Sequence, residues 1–190
     1  EEVIGYNNPE KEAFAMNALI SNKGNFFIAD TYINENPTAE QLAKGTLMCA
    51  AEMKRFGLKP KVALVSNTNY GSNRNPDANK MQQALELIRE LDPALEIDGE
   101  MQADVALDEE MRKSIFPETT LSGAANLLVM PNVEAANISY NLLRVNATNG
   151  ITVGPILMGL NKPVQIVTPI STVRRIVNMI ALAAVDAQRQ

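Results

Sequence analysis

The sequence has no histidine, no tryptophan and a single cysteine, and its aromatic content is 5%. The lack of histidine removes the commonest general base and the commonest zinc ligand together. A Ser–His–Asp or Cys–His mechanism cannot be built from this chain alone. With only Cys49, no internal disulfide can form, which fits a reducing compartment and predicts a cytoplasmic protein. No apolar run reaches the ~18–20 residues that span a bilayer, and no signal peptide is visible. Basic runs are absent too, and the net charge is −5. Nucleic acid and anionic membrane are therefore not expected partners, since both select a basic face. The chain opens at Glu1 rather than methionine, which predicts a piece excised from a longer protein.

What remains is the balance of a globular protein: 190 residues, 46% apolar and 21% charged. That length suits one ordinary domain, or one domain with part of another. Two β-prone runs, Ala15–Ile20 and Phe26–Ile33, flank Ser21-Asn22-Lys23-Gly24-Asn25 and predict a hairpin. Thr38 with Gln41 three residues later has capping-box spacing. Ala39, Leu42, Thr46, Cys49, Met53 and Phe56 then recur at helical spacing up to Gly57. Cys49 lies on this apolar face and reads as a buried small hydrophobe.

Val62–Val65 predicts a short buried strand, and Asn75-Pro76 starts a helix that Asp92-Pro93 stops. Leu95–Met101 predicts another strand, followed by an acidic helical stretch to Phe116. Asn126–Met130 predicts a strand, and Pro131-Asn132 opens a helix. Gly154-Pro155 and Gly159 read as a glycine-rich connection, and Val164–Val167 as the last strand. Ser171 or Thr172 then caps a final helix to about Ala187. Short apolar strands alternating with helices predict an α/β three-layer sandwich with a mainly parallel sheet. The last helix is apolar almost all round, so it is expected to be covered on more than one side.

Three constellations invite chemistry. The first is Asp98, Glu100 and Asp104 in DGEMQAD, whose acids fit a Mg²⁺ site or an acid/base pair, or are simply exposed carboxylates at a strand end. In the second, Ser66, Thr68, Gly71 and Ser72 offer hydroxyls and amides near a helix start, as a phosphate cradle or as a structural turn. This loop has neither the lysine and spacing of GxxxxGK[ST] nor GxGxxG. The third is Arg174 and Arg175 in the first turn of the last helix. They suit phosphates, a partner's acids or plain solvation.

FFIADTYINENPTAEQLA, KVALVSNTNYGS, DGEMQAD, GAANLLVMPNVEAANISYNLLR, VGPILMGLNKPVQIV and STVRRIVNMIALAAVDAQ occur here in one order. From about Phe14 onward the chain resembles the phosphate acetyltransferases. In NLLR, VGPILMGL and VRRIVNMIALA it resembles the acetyltransferase-like domain that closes large bacterial NADP-dependent malic enzymes. The resemblance implies the second lobe of a two-lobed fold like that of isocitrate and isopropylmalate dehydrogenases. Residues 1–168 would form that lobe. Residues 169–190 would be a C-terminal helix belonging to the first lobe, the rest of which lies outside this chain.

Set against that family, IVTPISTVRRIV stands where the active members read like DLSRGCSxxDIV. The family's arginine falls on Pro169 and its catalytic aspartate on Arg175. The lysine after the Asn-Ile-x-Tyr motif falls on Asn141, a tyrosine before Gly-Pro on Val153, and a hydroxyl residue on Leu157. Loss of one preorganised oxyanion donor commonly costs ~10²–10³ in rate. Loss of five polar positions implies no catalytic residue here.

The resemblance then implies a regulatory and oligomerising domain that senses acetyl-CoA, with homo-oligomers as partners. NADP and Mg²⁺ or Mn²⁺ would serve a separate region of the parent enzyme. An active acetyltransferase and an assembly module without ligand are the alternatives. Ser66, Thr68, Gly71, Ser72, Asn141, Gly154, Thr168, Ser171 and Arg175 are the expected cleft residues. Arg175 places a cation beside a ligand rich in phosphate, or forms an ion pair between lobes or subunits.

Overall fold

The computed structural model describes residues 3–21, 24–73, 75–147, 150–169 and 171–188. The hairpin forms from β1 (Phe14–Ser21) and β2 (Gly24–Ala29), in register from Met16 opposite Ala29 to Ser21 opposite Gly24. Asn22 and Lys23 of its expected turn lie outside the described residues. The second strand ends at Ala29, short of the Ile33 expected. The Asp30 carboxylate gathers the amides of Tyr32, Ile33 and Asn34 at 3.0–3.1 Å, which turns the chain out of the sheet.

Helix α1 (Ala39–Arg55) starts with the expected Thr38–Gln41 capping box. It lies close over β1 because Gly45 leaves room for the Phe14 ring: a Cβ at Gly45 would stand 2.2 Å from ring carbons. Next come β3 (Lys61–Val65) and α2 (Pro76–Leu91), the latter capped by Asn75. They are followed by β4 (Glu96–Met101), the short α3 (Ala103–Leu107) and α4 (Glu109–Ile115), and β5 (Leu127–Val129). Helix α5 (Val133–Asn146), capped by Asn132, leads to β6 (Ile151–Met158) and α6 (Val173–Gln188).

The sheet order is β4-β3-β5-β2-β1-β6. The pairs β4–β3, β3–β5 and β5–β2 are parallel, and β1 runs antiparallel to both its neighbours. Side chains alternate across it as strand geometry requires. Leu127 and Val129 meet α1 and α2 on one face, whereas Leu128 joins the core with α3 and α5 on the other. The three-layer α/β sandwich expected from the sequence is therefore present.

Two expectations fail at the β6 edge. Gly154-Pro155 is not a connection but lies inside β6. An edge strand tolerates a proline, which has no N–H to donate, and the β1–β6 register shifts between Met16 and Ala18, at the same point. Val164–Val167 forms no strand; the segment makes one bridge, Gln165 with Ile156. A short apolar run fixes neither its partner nor its pairing length.

Helix α6 buries Met179 and half-buries Leu182 against the sheet. Its outward stripe is bare, with Val173 78%, Val177 57% and Ile180 63% exposed. Among the described residues no helix is long and apolar enough to cross a membrane.

Candidate functional site

The helices leaving the central strands diverge. α2 follows β3 onto one face, and α5 follows β5 onto the other. In open α/β sheets, ligands bind outside the carboxyl ends of strands at such a switch point. Here the mouth is formed by the loops after β2, β3 and β5. Lys80 on α2 joins them: its Nζ donates to Asn36 Oδ1 and to the Pro131 carbonyl, each at 2.8 Å, and pairs with Asp77 at 3.1 Å. Nothing in the local sequence marks Lys80, because its acceptors belong to loops far away along the chain.

The loop after β3 is organised by a buried carboxylate. Tyr70 (φ 47°) and Gly71 (φ 76°) are consecutive left-handed residues, which turn the loop sharply. The Tyr70 amide donates to the Glu100 carbonyl at 2.8 Å, and the Gly71 amide to its carboxylate at 3.1 and 3.3 Å. Thr68 Oγ1 and Gln82 Nε2 donate to the same carboxylate at 2.8 and 3.0 Å. Glu100 is 0% exposed.

A carboxylate accepts, so the Thr68 proton is committed to Glu100. Ser66 then has a single proton and two acceptors beside it, Thr68 Oγ1 at 3.3 Å and Asn67 Oδ1 at 3.4 Å. The face Ser66 shows to a ligand is an acceptor. Ser72 Oγ accepts from the Asn69 amide at 3.1 Å. Of the donors expected for a phosphate, the Thr68 hydroxyl and the Gly71 amide are thus committed to Glu100 and the Ser66 hydroxyl to its neighbours.

The same strand overturns the reading of DGEMQAD as exposed acids. Asp98 is buried and receives Tyr70 Oη, Arg89 Nη2, the Thr120 amide and Thr119 Oγ1. Burial and the Asp98 charge push the Tyr70 phenol up to about 12. Only Asp104 is exposed. Among the described residues no group of acids, cysteines and histidines could hold a metal ion. A Mg²⁺ or Mn²⁺ centre does not fit Asp98 and Glu100, whose oxygens already serve protein donors. Beside them, Arg112 is fully buried and donates to Thr119 Oγ1 and to the carbonyls of Val105, Ala106, Leu121 and Gly123. It carries no sequence signal because its partners are backbone carbonyls.

The remaining expected residues lie at the other side of the sheet. Arg175 Nε donates to the Gly154 carbonyl at 3.0 Å, and Thr172, rather than Ser171, caps α6 by accepting the Arg175 amide. Thr168 and Ser171 bond each other. Asn141 bonds back to Asn137 one turn earlier on α5. Three strands separate β3 from β6. The two groups thus stand about 19 Å apart, four strand spacings of ~4.8 Å. Ser66, Thr68 and Gly71 meet around Glu100, Gly154 meets Arg175, and the two clusters do not converge.

Relatives place this architecture. The family profile described as phosphate acetyl/butaryl transferase matches residues 2–184. The chain is 57% identical over all 190 residues to the NADP-dependent malic enzyme of Escherichia coli (strain K12), covering 25% of that protein. It is 35% identical over 158 residues to the phosphate acetyltransferase of Corynebacterium glutamicum, covering 83% of this chain and 48% of that one. A solved phosphotransacetylase from Streptococcus pyogenes superposes with a TM-score of 0.87 at 30% identity, covering 94% of this chain and 55% of the other. The chain spans a quarter of the length of the malic enzymes it matches and about half that of these acetyltransferases. With a family match over nearly its whole length, the chain belongs to the phosphate acetyl/butaryl transferase family, as a phosphate acetyltransferase-like domain of the type found in malic enzymes.

Proposed function

We propose that this chain is a non-catalytic regulatory and assembly domain of an NADP-dependent malic enzyme, responsive to acetyl-CoA. One observation carries the reading. Where the family pattern has an aspartate, Arg175 stands, and its guanidinium is engaged with the Gly154 carbonyl. A cation in that setting cannot take a proton from a thiol. The other altered positions agree with it. Pro169 has no N–H, Asn141 is bonded to its own helix, Val153 packs against the core, and Leu157 lines a surface cavity of about 390 Å³.

Regulation needs no turnover, only different affinity for two states of the assembly. The carboxyl-end mouth near Ser66 and the Gly154–Arg175 edge suit an elongated ligand that touches both. The bare stripe of α6 suits burial against the first lobe of the same protein, and the assembled enzyme is a homo-oligomer. Oxidative decarboxylation of malate, with NADP and Mg²⁺ or Mn²⁺, belongs to another region of that enzyme.

The test uses a malic enzyme carrying this domain intact. Acetyl-CoA is expected to bind and to change malate turnover, while phosphate- or arsenate-dependent cleavage of acetyl-CoA stays at background. Cleavage above background would show a working acetyltransferase. Absence of both binding and any change in turnover would leave assembly alone.

A further inference from the structure

We propose that the loop 66–72, with Gln82 of α2, is an anion cradle already filled by this protein's own Glu100, and that removing this carboxylate opens a site for a free carboxylate of matching size. The inference stands whether or not the domain binds acetyl-CoA.

The chemistry of the cradle is that of a dry oxyanion site. Its described donors are all neutral: the Gly71 amide, the Thr68 hydroxyl and the Gln82 carboxamide, at 2.8–3.3 Å. They come from a loop and from α2, and they converge on a side chain of β4. Tyr70 and Gly71, both left-handed, turn the loop so that the Tyr70 amide meets the Glu100 carbonyl and the Gly71 amide its carboxylate. Burying an ionised carboxylate without such donors is prohibitively costly. Loop and carboxylate are therefore complementary halves of one site.

The match of sizes defines the probe. Glu100→Ala deletes one methylene and the carboxylate, and acetate supplies a methyl and a carboxylate. Acetate, then, is the anion that refills the cradle. Chloride has no oxygen and no methyl group, and propionate carries one carbon too many. The same arrangement explains why the Thr68 hydroxyl and the Gly71 amide do not face outward: their anion is already inside.

The experiment measures thermal unfolding of wild type and E100A in sodium acetate, sodium propionate and sodium chloride at matched ionic strength. E100A is expected to melt lower than wild type. Acetate should raise its Tm by a few degrees with one-site saturation, more than propionate or chloride, with no such difference in wild type. Equal effects of acetate and chloride on E100A, or an E100A as stable as wild type without added anion, would overturn the proposal. If E100A does not fold, E100Q decides. It keeps the volume but replaces one acceptor oxygen by an NH₂ that a turned-over Gln82 carboxamide can accept, so the comparison is made with that acceptor removed: E100Q/Q82M should melt lower than Q82M alone. E100Q/Q82M as stable as Q82M alone would equally refute it.

Discussion

Arg175 Nε and the Gly154 carbonyl meet at 3.0 Å, which fastens the first turn of α6 to the edge strand β6. The Gly154 amide in turn donates to Met179 Sδ at 3.3 Å, so both backbone groups of one glycine hold the helix. Farther along, Arg55 bridges Glu52 of α1 and Asp186 of α6 at 2.6 and 2.7 Å.

Arg175→Ala should loosen α6 at its start. A charged donor on a carbonyl contributes roughly 1.5–3 kcal/mol, at the lower end for a half-buried side chain. Urea unfolding is expected to show a loss of about 1.5 kcal/mol, with faster hydrogen exchange confined to α6. Arg175→Asp should give no phosphate-dependent cleavage of acetyl-CoA in the intact enzyme, because the other altered positions remain; measurable cleavage would contradict the proposed function.

Arg112 predicts a larger effect. Its guanidinium satisfies four carbonyls and the Thr119 hydroxyl in a site closed to water. Arg112→Met leaves those acceptors unpaired and should cost about 3 kcal/mol or more. Arg112→Lys should recover only part of it, since an ammonium cannot reproduce the fork. Equal stability of the Lys variant and wild type would show that charge alone matters.

Gly45→Ala places a methyl into the Phe14 ring. Overpacking of this kind costs typically 1–3 kcal/mol. Phe14→Leu in the same chain should return part of the loss, and a double-mutant cycle on thermal unfolding measures the coupling. Additive effects would mean that helix α1 shifts as a body instead.

Glu96 gives a pH dependence. Burial opposes its ionisation, but Lys59 Nζ at 2.7 Å and the Ser122 hydroxyl and amide outweigh burial and hold it down to about 2. The folded value lies below the ordinary 4.5, so its contribution is present above that pH and disappears as pH falls toward 2. Glu96→Gln should therefore lower Tm at pH 6, with the gap to wild type closing in acid. A gap independent of pH would refute the assignment.

Cys49 is buried, and burial pushes its thiol up. Thiol reagents should label it only at the rate of unfolding, and faster labelling in native buffer would reveal a local opening of α1.

Much of the fold is written within single turns of chain. Thr38 with Gln41, Asn75 before Pro76 and Asn132 before Val133 each specify a helix start, because a cap reaches only three residues ahead. The apolar stripes of α1 and α2 likewise identify their buried faces, since helical spacing repeats locally. The sequence by itself thus determined the order of elements as far as α5, the mainly parallel character of the sheet and the absence of histidine chemistry, but not the β6 edge.

Tertiary structure decided the rest, through partners that chain spacing does not announce. Glu100 reaches Gly71 across 29 residues, Lys80 reaches Pro131 across 51, and Asn17 crowds Gly154 from a neighbouring strand. Whether a carboxylate is exposed, a loop hydroxyl donates or accepts, or a glycine-proline pair continues a strand depends on what folding brings beside it. A buried polar group must find a partner wherever the packing supplies one, and that requirement, rather than any local motif, shaped this site.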